Sequence, residues 1–324
     1  MSQFRTIVDI PVFKTKLDHR NEILLIGSCF SENIGNKLKE SKFNVEINPF
    51  GILYNPLSIA NSFNILLEKH YFASDDLFYY NDVWNSFYHH SRFSHEDKEV
   101  CLININSRID KASETIKKAS FIFITLGTAW VYESIEKKFV VSNCHKLPAE
   151  KFNRYSLNET DIIDRFKSLF ESLRSINPSL QIVLTVSPIR HWKDGAVNNQ
   201  VSKSILLLAS SKLVDTFDYV HYFPGYEIVM DELRDYRFYG EDMLHPNNVA
   251  VEYIWQRFCE TFMDEQTLKI MKEYEKISKA MQHRPFNKNT NTYHDFKINM
   301  IKKIKAIKSK YPYLDLKDEM NYFS

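Results

Sequence analysis

Three side chains have the types and order for nucleophilic acyl chemistry. Ser28 follows the apolar run ILLIG at residues 23–27, and a helical pattern begins at once after it. A hydroxyl at a strand-to-helix turn stands at the sheet edge. There the helix N-terminus offers unpaired N–H groups and a positive dipole end. An oxyanion formed by attack of Ser28 on a carbonyl would be stabilised in that field. By itself, Ser28 also reads as a simple N-cap. Asp242 and His245 lie three apart in YGEDMLHPN at 239–247, just before another helical stretch. Asp-x-x-His lets a carboxylate hold one imidazole nitrogen. The other nitrogen then takes a nucleophile's proton and returns it to a leaving group. A capping Asp beside a surface His would have the same spacing.

Cys29 directly follows Ser28 and is the other candidate nucleophile. It reads as a structural thiol directed into helix packing, because Ser28 already takes the edge position. The segment WNSFYHHSRFSH at 84–95 packs four aromatics, three histidines and one arginine into twelve positions. No His-x-x-x-His helix or acidic partner accompanies them, so no metal site is expected. Trp84, Asn85, His89 and His90 are candidates for an aromatic, hydrogen-bonding pocket wall suited to a sugar; a surface hairpin without a role is the other reading. SPIRHWKDG at 187–195 follows an apolar run, so Arg190 and His191 are candidates for a substrate carbonyl, carboxylate or phosphate. The other reading pairs Arg190 with a surface acid. Arg234 and Arg237 precede Asp242 and are expected to brace its loop through ion pairs.

These residues need a frame. Apolar runs at 22–26, 121–126 and 180–186 read as buried strands, with shorter ones at 43–47 and 218–223. Helical patterns fill 29–41, 57–69, 108–118, 159–176, 199–217 and 247–263, and a hairpin is expected over 130–142. Buried strands alternating with helices imply a parallel sheet covered on both faces. Gly occurs only seven times, where average usage of about 7% would give roughly twenty. Gly27 and Gly127 both close apolar runs, at the carboxyl edge where open α/β sheets bind ligands.

Composition removes other classes. The 324 residues are 44% hydrophobic and 26% charged, with net charge +1, which suits a large globular core and gives no whole-chain nucleic-acid footprint. No apolar run reaches the ~20 residues of a membrane span. The start, MSQFRTIVDIPVF, has no signal core. Four scattered cysteines without a CxxC pair fit a reduced, cytoplasmic protein. The boundary is expected at 264/265. Residues 265–324 carry net +6 and leave −5 on the rest. Helical patterns at 267–283 and 296–309 make this basic extension an arm for packing or homo-oligomer formation. Binding of nucleic acid is not expected without aromatic interleaving.

The order Ser…Asp…His resembles the SGNH/GDSL hydrolase superfamily. More narrowly, GSCFS at 27–31 resembles the signature of the GSCFA family. NPFGILYNP at 48–56, TLGTAWVY at 125–132, TVSPIRHWKDG at 185–195 and YRFYGEDMLHPN at 236–247 match it in order. The resemblance covers about residues 5–263. It implies a three-layer α/β/α sandwich with a mainly parallel, flavodoxin-like sheet and a helical C-terminal extension. It also implies a serine ester hydrolase without cofactor or metal. Ser28 is the implied nucleophile, His245 the base and Asp242 its orienting acid. The backbone N–H groups of Ser28 and Gly51 are the implied oxyanion donors. The superfamily's Gly-x-Asn-Asp block reads Gly127-Thr128-Ala129-Trp130 here, so its Asn donor is absent. Asn55, Thr128 or a pocket imidazole is expected to replace it, Gly127 is a further candidate for the oxyanion hole, and Trp130 joins the expected pocket wall. The expected substrate is a small O-acyl ester, with a carbohydrate ester as one choice. The alternatives are an O-acyltransferase on the same triad and a non-catalytic binding protein that keeps the fold.

Overall fold

The computed structural model describes residues 5–282 and 290–324. The first four residues of the stretch read for a signal core lie outside this range, as does His283, the last residue of one expected helix. The chain divides into two compact units. One comprises Met1–Ile10, Glu22–Gly35 and Val45–Ile254; the other comprises Pro11–Asn21, Asn36–Asn44 and Trp255–Ser324.

The elements run in chain order β1 (Glu22–Gly27), α1 (Cys29–Glu40), β2 (Asn44–Ile47), α2 (Pro56–Glu68), β3 (Phe78–Tyr80), β4 (Val83–Asn85) and α3 (Lys98–Lys118). There follow β5 (Phe121–Leu126), β6 (Trp130–Ser134), β7 (Phe152–Ser156), α4 (Glu159–Ile176), β8 (Gln181–Val186), α5 (Gly195–Thr216) and β9 (Val220–Tyr222). The last are a short turn of helix α6 (Gly225–Glu227), α7 (Asn248–Phe262), α8 (Glu265–Gln282), α9 (Asn291–Lys310) and α10 (Lys317–Phe323).

The central sheet has the order β2-β1-β5-β8-β9. The pairs β1–β5, β5–β8 and β8–β9 are parallel, with Gly27 opposite Thr125 and Thr125 opposite Thr185. Renumbered within the sheet, the order is 2-1-3-4-5. This is the flavodoxin-like winding, whose switch point between the first and third strands opens a crevice at the carboxyl edge. Alternate residues serve opposite faces. Leu24, Ile26, Ile122, Ile124, Leu126, Ile182, Leu184 and Val186 join one core. Ile23, Leu25, Phe121, Phe123 and Val183 are also buried, outside that cluster. Helices cover both sides, giving the α/β/α sandwich and the helical C-terminal part expected from the sequence.

The other unit is built mostly from helices. Ile270, Tyr274, Ile277, Met300, Ile304, Ile307 and Phe323 form its core. Buried Glu319 accepts the Tyr274 hydroxyl at 2.7 Å and pairs with Lys42 at 2.6 Å. Among the described residues, no helix is long and apolar enough to cross a membrane.

Three expectations are corrected. Helix α3 starts ten residues before the expected 108, because the Asp97 carboxylate caps it by accepting the Val100 N–H at 3.0 Å. The hairpin within 130–142 is reduced to one antiparallel bridge, Glu133–Val140, closed by the Ser134 N–H on the Phe139 carbonyl at 2.9 Å and the Val141 N–H on the Tyr132 carbonyl at 2.8 Å. The extended partner of β6 is instead β7, antiparallel, with Trp130 facing Ser156. α10 was not foreseen; it is a short polar helix held by Phe323 and Glu319.

At Gly27 the chain leaves β1 with φ +137°, and a Cβ there would stand 2.2 Å from the Thr125 carbonyl oxygen. Only glycine meets both conditions. Gly27→Ala is expected to lower stability by about 2–4 kcal/mol or to prevent folding, read as a shift in the urea midpoint.

Candidate active site

β1 ends against β5, so Ser28 is set at the sheet's carboxyl edge. Its N–H donates to the Thr125 carbonyl at 3.3 Å, and its own carbonyl accepts the Ser31 N–H at 2.9 Å. The hydroxyl accepts the Phe30 N–H at 3.3 Å, so it does cap α1. The residue is 1% exposed, yet it lines a cavity of about 510 Å³.

Asp242 and His245 come from the loop before α7. One Asp242 oxygen, Oδ2, lies 2.5 Å from His245 Nδ1. The other, Oδ1, accepts the N–H groups of Leu244 and His245 itself, each at 2.9 Å. Those backbone bonds, and then the imidazole, hold the Asp242 pKa down at about 2. The carboxylate therefore stays ionised at neutral pH, fixes the proton on Nδ1 and leaves Nε2 as an acceptor. The Asn247 side chain ties this loop to the helix. Its Nδ2 donates to the Arg237 carbonyl at 2.7 Å, and its Oδ1 accepts the Ala250 N–H at 3.1 Å. Arg237 and Arg234 pair locally with Asp235 at 3.0 Å and Asp231 at 3.8 Å.

His245 lines the same cavity as Ser28. Among the described residues no hydrogen bond joins them, and the one partner of Ser28 Oγ is the backbone N–H of Phe30. Asn55, His90, Thr128, Trp130, Arg190 and His191 also line it. Trp84, Asn85, His89, Gly51 and Gly127 are not among its lining residues.

The reasons are local. Trp84 packs on Tyr79 at 5.2 Å and under the Lys98 ammonium at 4.3 Å. Asn85 bonds the Val83 carbonyl at 2.9 Å and accepts the Ser94 hydroxyl at 2.7 Å. His89 is buried, stacked on Phe50 at 4.7 Å, and burial pushes its pKa down to about 3. These three brace the 84–95 segment. Gly51 has φ +81°, and a Cβ there would meet His90 Cβ at 2.2 Å. The glycine thus admits the imidazole, while its N–H is already engaged by the Asn48 carbonyl at 2.8 Å. The N–H groups of Gly127 and Thr128 both go to the Tyr54 carbonyl, at 2.8 and 3.0 Å. Asn55 caps α2, accepting the Ser58 N–H at 2.8 Å and donating to its hydroxyl at 3.0 Å. Cys29, expected in helix packing, instead contributes to the cavity lining; burial raises its thiol pKa, which keeps it protonated.

One buried group escaped the sequence reading. Lys203, on α5, is 0% exposed and makes no ion pair among the described residues. Its Nζ donates to the carbonyls of Gly127 at 2.6 Å and Ser187 at 2.7 Å, at the ends of β5 and β8. Its neighbour Ser202 accepts the Ala129 N–H at 2.8 Å. α5 therefore holds the loop in which Ala129 replaces the implied Asn. Burial lowers the Lys203 pKa to about 7. The available signal was its register: Lys203 shares the buried stripe of Leu206, Ala209 and Leu213. Burial, and then the Lys203 charge, also lower His191 to about 4.

A family model for the GSCFA family matches residues 22–258, and one for the GSCFA C-terminal domain matches 274–324. The chain belongs to the GSCFA family. No curated protein sequence matches it. Among solved structures, a family 3 carbohydrate esterase from Clostridium thermocellum is 9% identical, with 78% of this chain and 97% of that one covered at a TM-score of 0.35. An acetyl xylan esterase from Butyrivibrio proteoclasticus is 12% identical, covering 78% of this chain and 64% of that one at a TM-score of 0.37.

The Lys203 environment gives a stability signature. Between pH 7 and about 10 the unfolded chain holds the proton that the folded chain has lost, so stability rises with pH by about 1 kcal/mol per unit. Neutral Lys203 still has two N–H groups for its two carbonyls. Denaturant titrations across that range should show the rise in the wild type and its absence in Lys203→Met.

Proposed function

We propose that this protein is a serine-dependent ester hydrolase acting on a small O-acyl ester. One observation carries the reading: a hydroxyl at the sheet edge, Ser28, and a carboxylate-oriented imidazole, His245, open on one cavity. Ser28 Oγ attacks the ester carbonyl as its proton passes to His245 Nε2. The tetrahedral oxyanion collapses, the C–O bond to the alcohol breaks, and His245 gives the proton to the departing alkoxide. Water, deprotonated by the same nitrogen, then releases the acid from Ser28. Asp242 keeps the tautomer and stabilises the imidazolium. The open Ser28–His245 pair tightens on substrate binding, as catalytic hydrogen bonds commonly do.

The oxyanion donors differ from those the family resemblance implies. The backbone N–H groups of Ser28, Gly51, Gly127 and Thr128 are engaged within the fold, and Asn55 gives one of its two amide N–H groups to the Ser58 hydroxyl. Among the described residues, the N–H groups of Cys29 and Ile52 have no carbonyl acceptor, and both residues line the cavity. They are the donors we assign, assisted by the dipole of α1. Tyr54, Trp130, Tyr132 and Trp192 supply aromatic lining, which suits a sugar-borne ester.

The engaged N–H groups, and the lack of a Ser28–His245 hydrogen bond among the described residues, favour one second reading, a ligand-binding protein without turnover. Hydrolysis of 4-nitrophenyl acetate separates the two. Ser28→Ala and His245→Ala should lose roughly 10³-fold or more in kcat, and Asp242→Asn about 10³–10⁴-fold, with melting unchanged. A fluorophosphonate probe should label Ser28 and spare Cys29. Equal rates in all variants, with no labelling, would leave the binding reading.

A further inference from the structure

The cavity's charge is lopsided. Its lining holds three cationic side chains, Arg154, Arg190 and Lys193, and one carboxylate, Asp194. Asp194 is already committed. It pairs with Arg154, and its side chain is only 4% exposed. Arg154 is held in turn on the Trp130 ring, 4.2 Å from the centroid. That pair is internally neutral.

Arg190 and Lys193 have no such acid. Among the described residues, the only partner of the Arg190 guanidinium is the Met230 sulfur at 3.4 Å. Among the described residues, Lys193 Nζ reaches only the Tyr132 hydroxyl, at 3.3 Å, and that ring. Arg190 also borders an adjoining cleft that contains Asp235 and Asp242. Both are engaged elsewhere, Asp235 with Arg237 and Asp242 with His245. Behind the lining, the buried Lys203 adds positive potential. His90 and His191 supply no negative charge, and both are pushed toward the neutral form by burial.

A half-buried guanidinium bound only to a thioether has most of its N–H donors open to a ligand. Its planar fork fits two oxygens of one carboxylate or phosphate. We propose that Arg190, assisted by Lys193, forms an anion subsite beside Ser28. The ligand is then an ester whose sugar or acyl part carries a carboxylate or a phosphate. As a statement about substrate it rests on the hydrolase reading, but the binding needs no turnover.

Calorimetric titration of the full chain with glucuronate, glucose 6-phosphate and glucose tests it. At least one of the two anions should bind roughly tenfold or more tightly than glucose, and the preference should shrink as salt is added. Whichever anion binds better identifies carboxylate or phosphate as the group. Arg190→Gln should reduce the anion to the affinity of glucose, while Arg190→Lys keeps part of the preference. Lys193→Gln, at an exposed position, should weaken the anion even if the Arg190 variants fail to fold. Equal binding of anions and glucose, no binding of any, or a preference that survives Arg190→Gln with melting unchanged would overturn the proposal. The same titration on Ser28→Ala separates the two readings. An anion preference retained without any esterase turnover in the wild type sinks the hydrolase reading and leaves the subsite standing.

Discussion

The close approach of β1 to β5 at Gly27 is the constraint on which the site depends. With no Cβ, the chain can pass the Thr125 carbonyl and turn at once into α1. Asn48 reinforces the turn, its side-chain oxygen accepting the Gly27 N–H at 2.9 Å. Leu53 adds a third tie by donating to the Gly27 carbonyl at 2.9 Å. Three segments thus converge on one glycine. Ser28 emerges where the first strand, the loop after β2 and the end of β5 meet. Its position is a property of the sheet and not of a flexible loop, which is what a nucleophile needs if orientation is to contribute to rate.

The neighbouring loop, Gly127 to Ala129, is organised from the other side. Tyr54 takes two of its N–H groups, Ser202 takes a third, and Lys203 takes its first carbonyl. With its Asn replaced by Ala129, this loop offers no side-chain amide to an oxyanion. It is instead the platform on which a buried ammonium sits. A cation there, half-protonated near neutral pH, raises the potential across the crevice without touching a ligand. Burial, and then that field, depress His191 and favour its neutral form.

What the sequence made legible follows from how local each determinant is. β1, β5 and β8 were readable because each is a continuous apolar run, as a two-sided sheet requires. Ser28 and the Asp242–His245 turn were readable because their logic lies within a few residues. The wall at 84–95 was not. Its composition is unusual over the whole segment, but composition cannot say which rings turn inward. Trp84, Asn85 and His89 serve the segment's own packing, and His90 faces the cavity because Gly51 makes room for it. The partner of β6 lies twenty residues downstream in β7, beyond the reach of a hairpin rule. Lys203 was hidden by residue type: lysine on a helix is normally solvated, and only its place in the buried stripe argued otherwise.

The two halves of the site are held by different means. Ser28 is tied to the sheet core by its backbone. His245 and Asp242 are tied mainly to each other, about half exposed, by three hydrogen bonds that stay within residues 242–245. A pair wired this way can shift as a unit without losing its tautomer or its carboxylate contact. In the proposed hydrolase, the gap to Ser28 is then a distance that substrate binding has to close. A ligand that reaches both Arg190 and Ser28 would occupy the cavity that His245 also lines and exclude water from it. Removing that water strengthens the interaction between imidazole and hydroxyl. On the proposed reading, recognition and assembly of the Ser28–His245 pair therefore become the same event.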